Sequence, residues 1–600
     1  MWIQTFRKIE LKTNQSGRVM AWPLRGLVCL VAVALVGCGT SETESSETNS
    51  SQTNSSQTNS SQTNSSQTSS GETSSDTNET GETGETGETE ATTGESDTTD
   101  DTDDTDTTTA GPPDPGEGEN PWSAEWVDVH SVIVRPEALT NSFIGSGNYS
   151  DHVEAFVDGA KAAGARAVYI EMRAVDPSGN NPEQTGHMYF PLEEDPALLA
   201  HDTFVSHVGE DFGAQDGAMM RQLVDAVHAR GMQAYAWLPI FRDHEVHALG
   251  PPYVTEPDNL EPDFVSIFQS DVQGHELEVV RQVMSRLCLA GVHLDYMRYQ
   301  SDTQPQEQAA SVGFEALHGV PISEPASAGK GAPLWPEYLE YRAEGLRAFG
   351  AETRSVLDTI RPAELGAFLM PHSLKTTVAS GYADEPWSGV DYDRMASLGL
   401  MLSPMIYWGH GDPGWTNDWM GFTQGILDNL VVHVAAHANV GALALPTYSM
   451  AYATDEIGIA LGWARARGIG GVTVFYYGDW RNPQENQFDR LNTAVESAFG
   501  PAVYPQVSIT SPANDGATWP MEQPLDVTAE VSGHDGTITD AWYRVDGGPW
   551  FAAEAGDSLA ISGVAFDQLP GVAPGCHELT VLVRDELGRP GQDVRVLNLQ

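Results

Sequence analysis

Between residues 122 and 500 the chain alternates two patterns of apolar positions. Short, nearly continuous apolar runs are typical of strands buried on both faces, and longer stretches with apolar residues every three to four positions are typical of amphipathic helices. Eight strands are predicted, at 127–135, 165–173, 232–241, 291–299, 365–371, 400–408, 440–448 and 471–477. Helices are predicted between or after them, at 151–163, 217–230, 275–289, 335–360, 423–438, 454–467 and 485–499.

Eight alternations over about 380 residues fit a (β/α)8 barrel with long loops. The alternative is an open doubly wound sheet, but no glycine-rich phosphate turn follows any predicted strand. The fold class is therefore predicted to be α/β, with a TIM barrel over residues 121–500.

The pattern changes at Pro501. Short runs rich in Val, Ile, Thr and aromatic residues follow, at 506–510, 525–531, 538–545 and 579–584. Their spacing and the turn signals between them predict a small all-β sandwich over 501–600, which resembles the bacterial immunoglobulin-like modules of secreted enzymes. Trp542, Trp550 and Phe551 are predicted to pack in its core or to belong to a spacer, and sugar binding is the alternative.

The N-terminal segment has the layout of a secretory signal. Positive charges precede the apolar run 27–36, which is too short to span a bilayer. The run ends in L-V-G-C, which resembles a bacterial lipoprotein box, and the resemblance implies that Cys38 carries a lipid and begins the mature protein. A plain secretory signal with a chance cysteine is the alternative, and Met20 is an alternative start.

Residues 39–120 are predicted to form a disordered, acidic, Ser/Thr-rich linker. They contain T-N-S-S-Q and G-E-T repeats and almost no large apolar residues, so they cannot bury enough surface to offset the entropy of ordering. The chain is expected in the cell envelope, at the outer membrane or cell surface, and to contact the membrane through its lipid anchor only.

The net charge of −55 is partly due to this linker, which holds about 20 of the acids. The rest of the chain is still acidic and has no basic cluster, so nucleic acid is not expected as a partner. The sequence does not indicate an oligomeric state.

Two cysteines lie outside the N-terminal segment, Cys288 in the predicted barrel and Cys576 in the predicted sandwich. Two such residues exclude a disulfide framework and a four-cysteine zinc site. We expect both to be unpaired, and a bridge between the two domains is the alternative. The segment His244-Glu245-Val246-His247 is one residue short of an H-E-x-x-H zinc helix, and no metal or other cofactor is predicted.

A strand-end acid is the first candidate for catalysis, because a parallel barrel carries its reacting groups at the C-terminal ends of its strands. The strand 291–299 reads G-V-H-L-D-Y-M-R-Y, which places Asp295 near its end. Period-two alternation predicts that His293 and Met297 share its face, with His293 beneath Asp295. A histidine there either helps to bind substrate or is a satisfied core residue.

Several strand ends resemble those of the glycosyl-hydrolase-like family 10 barrels. The segments are A-R-A-V-Y-I-E-M-R at 165–173, G-M-Q-A-Y-A-W-L-P at 231–239, the strand of Asp295, S-P-M-I-Y-W at 403–408 and G-G-V-T-V-F-Y-Y at 470–477. The resemblance implies a TIM barrel that hydrolyses glycosidic bonds, with a polysaccharide or peptidoglycan glycan as its partner.

Glycoside hydrolysis usually requires two carboxyl groups, one to protonate the leaving oxygen and one to attack the anomeric carbon or activate water. Besides Asp295, the catalytic candidates are Glu171 and Asp176, at and just beyond the end of the second strand. Glu171 stands where many family members have an amide. Asp412 and Asp479 are further candidates, and capping of loops or helices is the alternative for such residues.

Aromatic and basic residues at the same strand ends are predicted to bind the sugar. Flat apolar faces with polar edges suit sugar rings, and guanidinium groups can hold hydroxyl or carboxylate substituents. For about half of the aromatic residues, packing between strands and helices is the alternative. The predicted substrate-binding residues are Arg173, Trp237, Arg242, His293, Arg298, Tyr407, Trp408, Tyr477 and Asp479.

The leading hypothesis is a surface-anchored glycoside hydrolase that cleaves O-glycosidic bonds by carboxylate acid/base catalysis, with Asp295 as nucleophile or general acid. The alternative is a non-catalytic carbohydrate-binding lipoprotein with a degenerate barrel. A third hypothesis is an adhesive or scaffolding surface protein.

Overall fold

A computed structural model provides the structure. It describes residues 129–140, 148–175, 185–200, 206–207, 210–212, 214–255, 263–301, 303–374, 388–406, 419–436, 442–446, 454–469, 471–477, 493 and 504–600. The predicted signal, Cys38 and the linker 39–120 lie outside these residues. None of the described helices is both long enough and apolar enough to cross a membrane.

Eight parallel strands form the barrel, as predicted. They are β1 Val129–Val134, β2 Ala167–Glu171, β3 Gln233–Pro239, β4 Gly291–Asp295, β5 Glu364–Leu369, β6 Met401–Pro404, β7 Ala442–Pro446 and β8 Gly471–Tyr477. Their hydrogen-bonded order is β6-β5-β4-β3-β2-β1-β8-β7, so sequential strands are also neighbours in space. The end strands β6 and β7 approach each other, which nearly closes the barrel.

Helices connect the strands. They are α1 Tyr149–Ala162, α2 Ala218–Ala229, α3 His244–Ala248, α4 Ser270–Arg286, α5 Gln308–His318, α6 Ser323–Ala328, α7 Trp335–Asp358, α8 Tyr392–Ala396, α9 Trp419–Ala436 and α10 Thr454–Ala466. Six of them correspond to predicted helices, whereas α3, α5, α6 and α8 lie in connections that were predicted as loops. The predicted helix at 485–499 lies outside the described residues except for residue 493.

Helix α1 shows why the helices dock on the strands. Asn148 caps its first turn by accepting a hydrogen bond from the backbone N–H of Asp151 at 3.0 Å. Val153, Phe156 and Val157 recur at helical spacing and are fully buried, so this face packs on the barrel.

The barrel strands are buried on both faces, as their apolar runs predict. Val168 and Ile170 of β2 point outward into the core beneath the helices, whereas Tyr169 points into the barrel. Tyr235 and Trp237 of β3 join Tyr169 in this interior cluster. The period of two therefore separates helix-packing residues from those that fill the barrel.

The C-terminal part is an all-β structure of two sheets. Its strands are β9 Gln506–Ser511, β10 Ala517–Trp519, β11 Leu525–Ser532, β12 Ile538–Val545, β13 Phe551–Ala553, β14 Ser558–Val564, β15 Gly575–Asp585 and β16 Pro590–Leu599. The sheet orders are β9-β11-β14 and β10-β16-β15-β12-β13. Trp542, Trp550 and Phe551 are buried, in line with the prediction that they pack.

The five-stranded sheet packs against the N-terminal ends of the barrel strands. Arg544 of β12 donates hydrogen bonds to Gln233 Oε1 at 2.8 Å and to the Tyr235 hydroxyl at 2.9 Å, and lies 3.4 Å from Glu364. We call Gln233, Tyr235, Glu364 and Arg544 the floor cluster. Through it, the sandwich helps to close the N-terminal end of the barrel.

A disulfide joins the two parts of the chain. Cys288, just before β4, bonds to Cys576 in β15, with their Cα atoms 5.7 Å apart. The expectation of two unpaired cysteines is therefore wrong, and the alternative of an interdomain bridge is the one observed. The pairing follows from the docking of β15 at the barrel's N-terminal end, a contact between residues 288 positions apart that leaves no local pattern in the sequence.

Candidate active site

Asp295 lies at the C-terminal end of β4 and is 5% exposed. Its Oδ2 accepts a hydrogen bond from Trp237 Nε1 at 3.1 Å, and its Oδ1 accepts one from the backbone N–H of Tyr296 at 2.6 Å. Burial raises the pKa of Asp295, and the charge of Arg298 opposes this shift. The side chain predicted to be catalytic is thus held in one orientation at the mouth of the barrel.

The backbone turns sharply after Asp295. Tyr296 has a φ of 54°, a left-handed conformation that costs a non-glycine residue about 1 kcal/mol or more. The strand ends here rather than at Tyr299, so the predicted alternation stops. Met297 consequently packs in the core beneath the helices and does not share the face of Asp295.

Two predicted substrate-binding residues meet on Tyr296. The guanidinium carbons of Arg298 and Arg242 lie 4.6 Å and 5.3 Å from its ring centroid. Arg242 Nη1 also donates to the Tyr296 hydroxyl at 3.2 Å, and its Nη2 is 3.9 Å from Asp263. This arrangement brings two cationic groups to the residue that follows Asp295.

Glu171 ends β2 and is fully buried. Its Oε2 lies 3.5 Å from Arg135 Nε, and its Oε1 accepts a hydrogen bond from the backbone N–H of Val175 at 3.3 Å. Burial raises the pKa of Glu171 to about 8, although Arg135 acts in the opposite direction. Glu171 therefore retains its proton at neutral pH.

Arg135 connects Glu171 to the Asp295 pair. Its guanidinium lies 5.8 Å from the ring centroid of Trp237, the residue that donates to Asp295. Arg135 is not among the predicted site residues, although it directly follows the last residue of β1. Applying the strand-end rule to every predicted strand would have found it. We call Arg135, Glu171, Trp237 and Asp295 the rim cluster.

His293 lies inside the barrel, on the side of Asp295 that faces the floor cluster. The Tyr169 hydroxyl is 3.3 Å from its Nε2, and Glu364 Oε1 is 3.7 Å from the same atom. Burial lowers the pKa of His293. A Cβ on residue 366 would overlap the imidazole, so Gly366 on the next strand gives this ring its space. These contacts favour the alternative of a core histidine.

Arg173 does not join the rim cluster. It is 1% exposed, and its Nη1 donates to Glu276 Oε2 at 2.7 Å and to the carbonyls of Pro239 and Ile240 at 3.3 Å each. These bonds tie the segments that follow β2 and β3 to helix α4. Because its guanidinium is used for these structural contacts, Arg173 is less available for its predicted role in substrate binding.

One group of described residues has the side chains and spacing of a metal site. Ligand atoms of Asp243, His275 and Glu276 lie within 4.8 Å of one another, and all three residues are buried. His275 Nδ1 accepts from the Leu199 N–H, so Nε2 carries the proton and faces Asp243 at 3.4 Å. Arg173 lies among the three residues and already contacts Asp243 and Glu276, which leaves its positive charge where a metal ion would bind.

The remaining predicted residues lie elsewhere or outside the description. Tyr477 packs against helix α1, with its ring 4.8 Å from that of Phe156, so the packing alternative applies to it. Phe475, two residues earlier, points into the barrel and contacts Trp237 edge-on at 5.8 Å. The structure does not describe Asp176, Tyr407, Trp408, Asp412 and Asp479.

No protein-family model matches this sequence, and no curated protein is significantly similar to it. Among solved structures, the chain is similar to the PgaB (BpsB) glycoside hydrolase domain from Bordetella bronchiseptica, with 16% identity, 61% of this chain and 99% of that chain covered, and a TM-score of 0.46. It is also similar to the catalytic domain of a β-amylase from Paenibacillus polymyxa, with 12% identity, 62% and 99% covered, and a TM-score of 0.42.

A third similar structure is an α-L-fucosidase GH29 from Bacteroides thetaiotaomicron, with 9% identity, 75% of this chain and 93% of that chain covered, and a TM-score of 0.32. These similar structures are glycoside hydrolases. Membership of glycosyl-hydrolase-like family 10 stays a prediction.

Proposed function

We propose that this chain is a glycoside hydrolase that cleaves O-glycosidic bonds in a polysaccharide or cell-wall glycan. The observation that carries the proposal is Asp295, an acid at the C-terminal end of a barrel strand whose two oxygens are held by Trp237 and the backbone of Tyr296. A fixed carboxyl group at this end of a parallel barrel is the usual position of a catalytic group.

The two carboxyl groups of the rim cluster suit different roles. Glu171, which keeps its proton up to about pH 8, is the proton donor to the leaving glycosidic oxygen. Asp295 as carboxylate either attacks the anomeric carbon or takes a proton from the attacking water. Since Glu171 is fully buried, protonation of a glycan requires groups around it, such as Arg135, to move aside.

We further propose that the protein acts in the cell envelope, attached through a lipid on Cys38. The lipobox-like sequence and the apolar run before it support this location. The disulfide between Cys288 and Cys576 supports it independently, because disulfides persist mainly in oxidising compartments outside the cytoplasm.

The test is product release from peptidoglycan glycan strands and a panel of polysaccharides, read by mass spectrometry. Asp295→Asn should lower kcat by about 10²-fold to 10⁴-fold, because asparagine neither attacks carbon nor accepts a proton. Asp428→Asn is the matched control, since Asp428 is an exposed residue that pairs with Arg467 on the outer helices. Full activity in the Asp295 variant would refute the assignment.

The second candidate is a carbohydrate-binding protein without turnover. The complete burial of Glu171 favours it, because an enclosed acid cannot reach a glycosidic oxygen without a conformational change. Glycan binding by the wild-type chain, with no product from any polysaccharide, would establish this function instead.

A further inference from the structure

Arg298 is a cation at the barrel mouth with unused hydrogen-bond donors. Within the described part of the chain, its guanidinium forms no ion pair and no hydrogen bond, and it lies over the Tyr296 ring at 4.6 Å. The side chain is half-buried. Such a group is free to bind an anion that enters the barrel mouth.

Asp295 interacts with the charge of Arg298 but accepts none of its N–H groups. Both of its oxygens already accept hydrogen bonds, from Trp237 Nε1 and from the Tyr296 N–H. The other arginine near Asp295, Arg135, lies 3.5 Å from Glu171 and donates to the Val175 carbonyl. The donors of Arg298 are thus not committed to groups of the described residues.

The contact with the Tyr296 ring restrains the Arg298 side chain. Arg242 shares the same ring, and its nearest carboxylate, that of Asp263, is 3.9 Å away. A planar guanidinium held against an aromatic ring presents two parallel N–H groups that match the two oxygens of a carboxylate. The geometry therefore suits a carboxylate better than a single hydroxyl.

The acidity of the chain makes this pair of arginines unusual. The chain is acidic even outside the linker, so its long-range field repels polyanions. A neutral glycan needs no cation in the site, whereas an acidic glycan requires a local positive charge to offset that repulsion.

Resting on the proposed hydrolase function, we propose that Arg298, assisted by Arg242, binds a carboxylate of the glycan next to Asp295. The substrate is accordingly an acidic polysaccharide, with uronic acid or other carboxylate-bearing sugars at the position beside the cleaved bond.

The experiment compares acidic glycans with their own neutral forms. Polygalacturonate, alginate and hyaluronate are each offered untreated and after chemical reduction of the carboxyl groups to alcohols, so that backbone and linkage stay the same. Binding is measured by calorimetry on the full chain carrying Asp295→Asn, and cleavage is measured on the wild-type chain. At least one acidic form should bind about 10-fold to 100-fold more tightly than its reduced form, the range expected for a hydrogen bond to a charged group.

Arg298→Gln should remove this preference, so that the acidic and reduced forms bind with similar affinities, and Arg298→Lys should restore part of it. The matched control is Arg347→Gln, which removes an arginine that pairs with Glu344 on the outer helix α7. This variant should keep the full preference. The measured ratio of the two affinities cancels any general loss of folded protein.

The outcomes separate this inference from the proposed hydrolase function. If glycans are cleaved but acidic and reduced forms are bound and cleaved equally, the hydrolase stands and the carboxylate subsite is refuted. If an acidic glycan binds in an Arg298-dependent manner without any cleavage, the subsite stands and the hydrolase is refuted. Preference for the reduced forms, or no binding of any acidic form, overturns the inference.

Discussion

Two Arg–Glu pairs of almost equal length lie at opposite ends of the barrel, and their carboxyl groups behave in opposite ways. At the rim, Arg135 and Glu171 are 3.5 Å apart, and the pKa of Glu171 is raised to about 8. At the floor, Arg544 and Glu364 are 3.4 Å apart, and the pKa of Glu364 is lowered to about 2. The distance between the charges does not explain this difference.

The other groups around each carboxyl group explain it, because a repelling carboxylate acts on Glu171 and none is among the main influences on Glu364. Burial would raise the pKa of Glu364, but His293, Arg544 and the Tyr235 hydroxyl together favour its charged form. Around Glu171 burial prevails, because the favourable effects of Arg135, the Val175 N–H and the Tyr189 hydroxyl are opposed by the repelling charge of Glu137. At the floor, Glu364 is therefore ionised at neutral pH, and its charge takes part in contacts that stabilise the fold. At the rim, Glu171 keeps a proton that it can donate in catalysis.

The largest expected effect is on stability at the floor. Arg544→Met should lower the free energy of unfolding by about 3–5 kcal/mol, because it leaves the Glu364 carboxylate and the Tyr235 hydroxyl without their cationic partner. Arg135→Met at the rim should lower it by less than about 1 kcal/mol, because the charge it removes does not compensate an ionised group at neutral pH. Chemical denaturation at pH 7 measures both values.

Equal losses in the two variants would contradict the comparison. A double variant, Arg544→Met with Glu364→Gln, serves as the control. It should recover part of the lost stability, since a neutral amide needs no counter-charge.

The barrel could be predicted from sequence because its signals are local. Each strand is a short apolar run, and each C-terminal end carries polar residues that the barrel topology brings together. Asp295 and Trp237 were found in this way, and their hydrogen bond follows from the pairing of neighbouring strands β3 and β4.

The floor cluster could not be predicted, because it joins distant segments that have no pattern in common. Arg544 and Glu364 are 180 positions apart, and nothing local indicates that β12 meets the start of β5. The end of β4 was placed too late for a different reason. The strand pattern continues to Tyr299, whereas the left-handed backbone of Tyr296 is set by its surroundings.

The disulfide gives a second stability test at the N-terminal end of the barrel, with a somewhat smaller expected loss. Cys576→Ser should lower the free energy of unfolding by about 2–4 kcal/mol, mainly because the unfolded chain loses a cross-link that closes a very long loop. Cys288→Ser should have the same effect. The double variant should lose no more stability than either single variant. Additive losses would show that each cysteine stabilises the fold through its own packing rather than through the bond.

The smallest expected effect is a shift of a pH profile at the rim. If Glu171 is the proton donor, kcat should fall as pH rises through about 8, where the carboxyl group loses its proton. The positive charge of Arg135 favours the carboxylate, so its removal in Arg135→Gln raises the pKa and moves this alkaline limb upward. A shift of roughly one pH unit, or about 1.4 kcal/mol, is expected from one neighbouring charge.

Two further variants test whether Glu171 is the group that causes the alkaline limb of the kcat profile. Glu171→Gln should abolish it, because the amide has no proton to lose in this range, and Glu364→Gln should leave it in place at about pH 8. A limb that stays in Glu171→Gln, or that does not move in Arg135→Gln, would mean that another group donates the proton. Arg135 and Glu171 would then be a structural pair, as Arg544 and Glu364 are. The two ends of the barrel would no longer differ in the role of their Arg–Glu pairs.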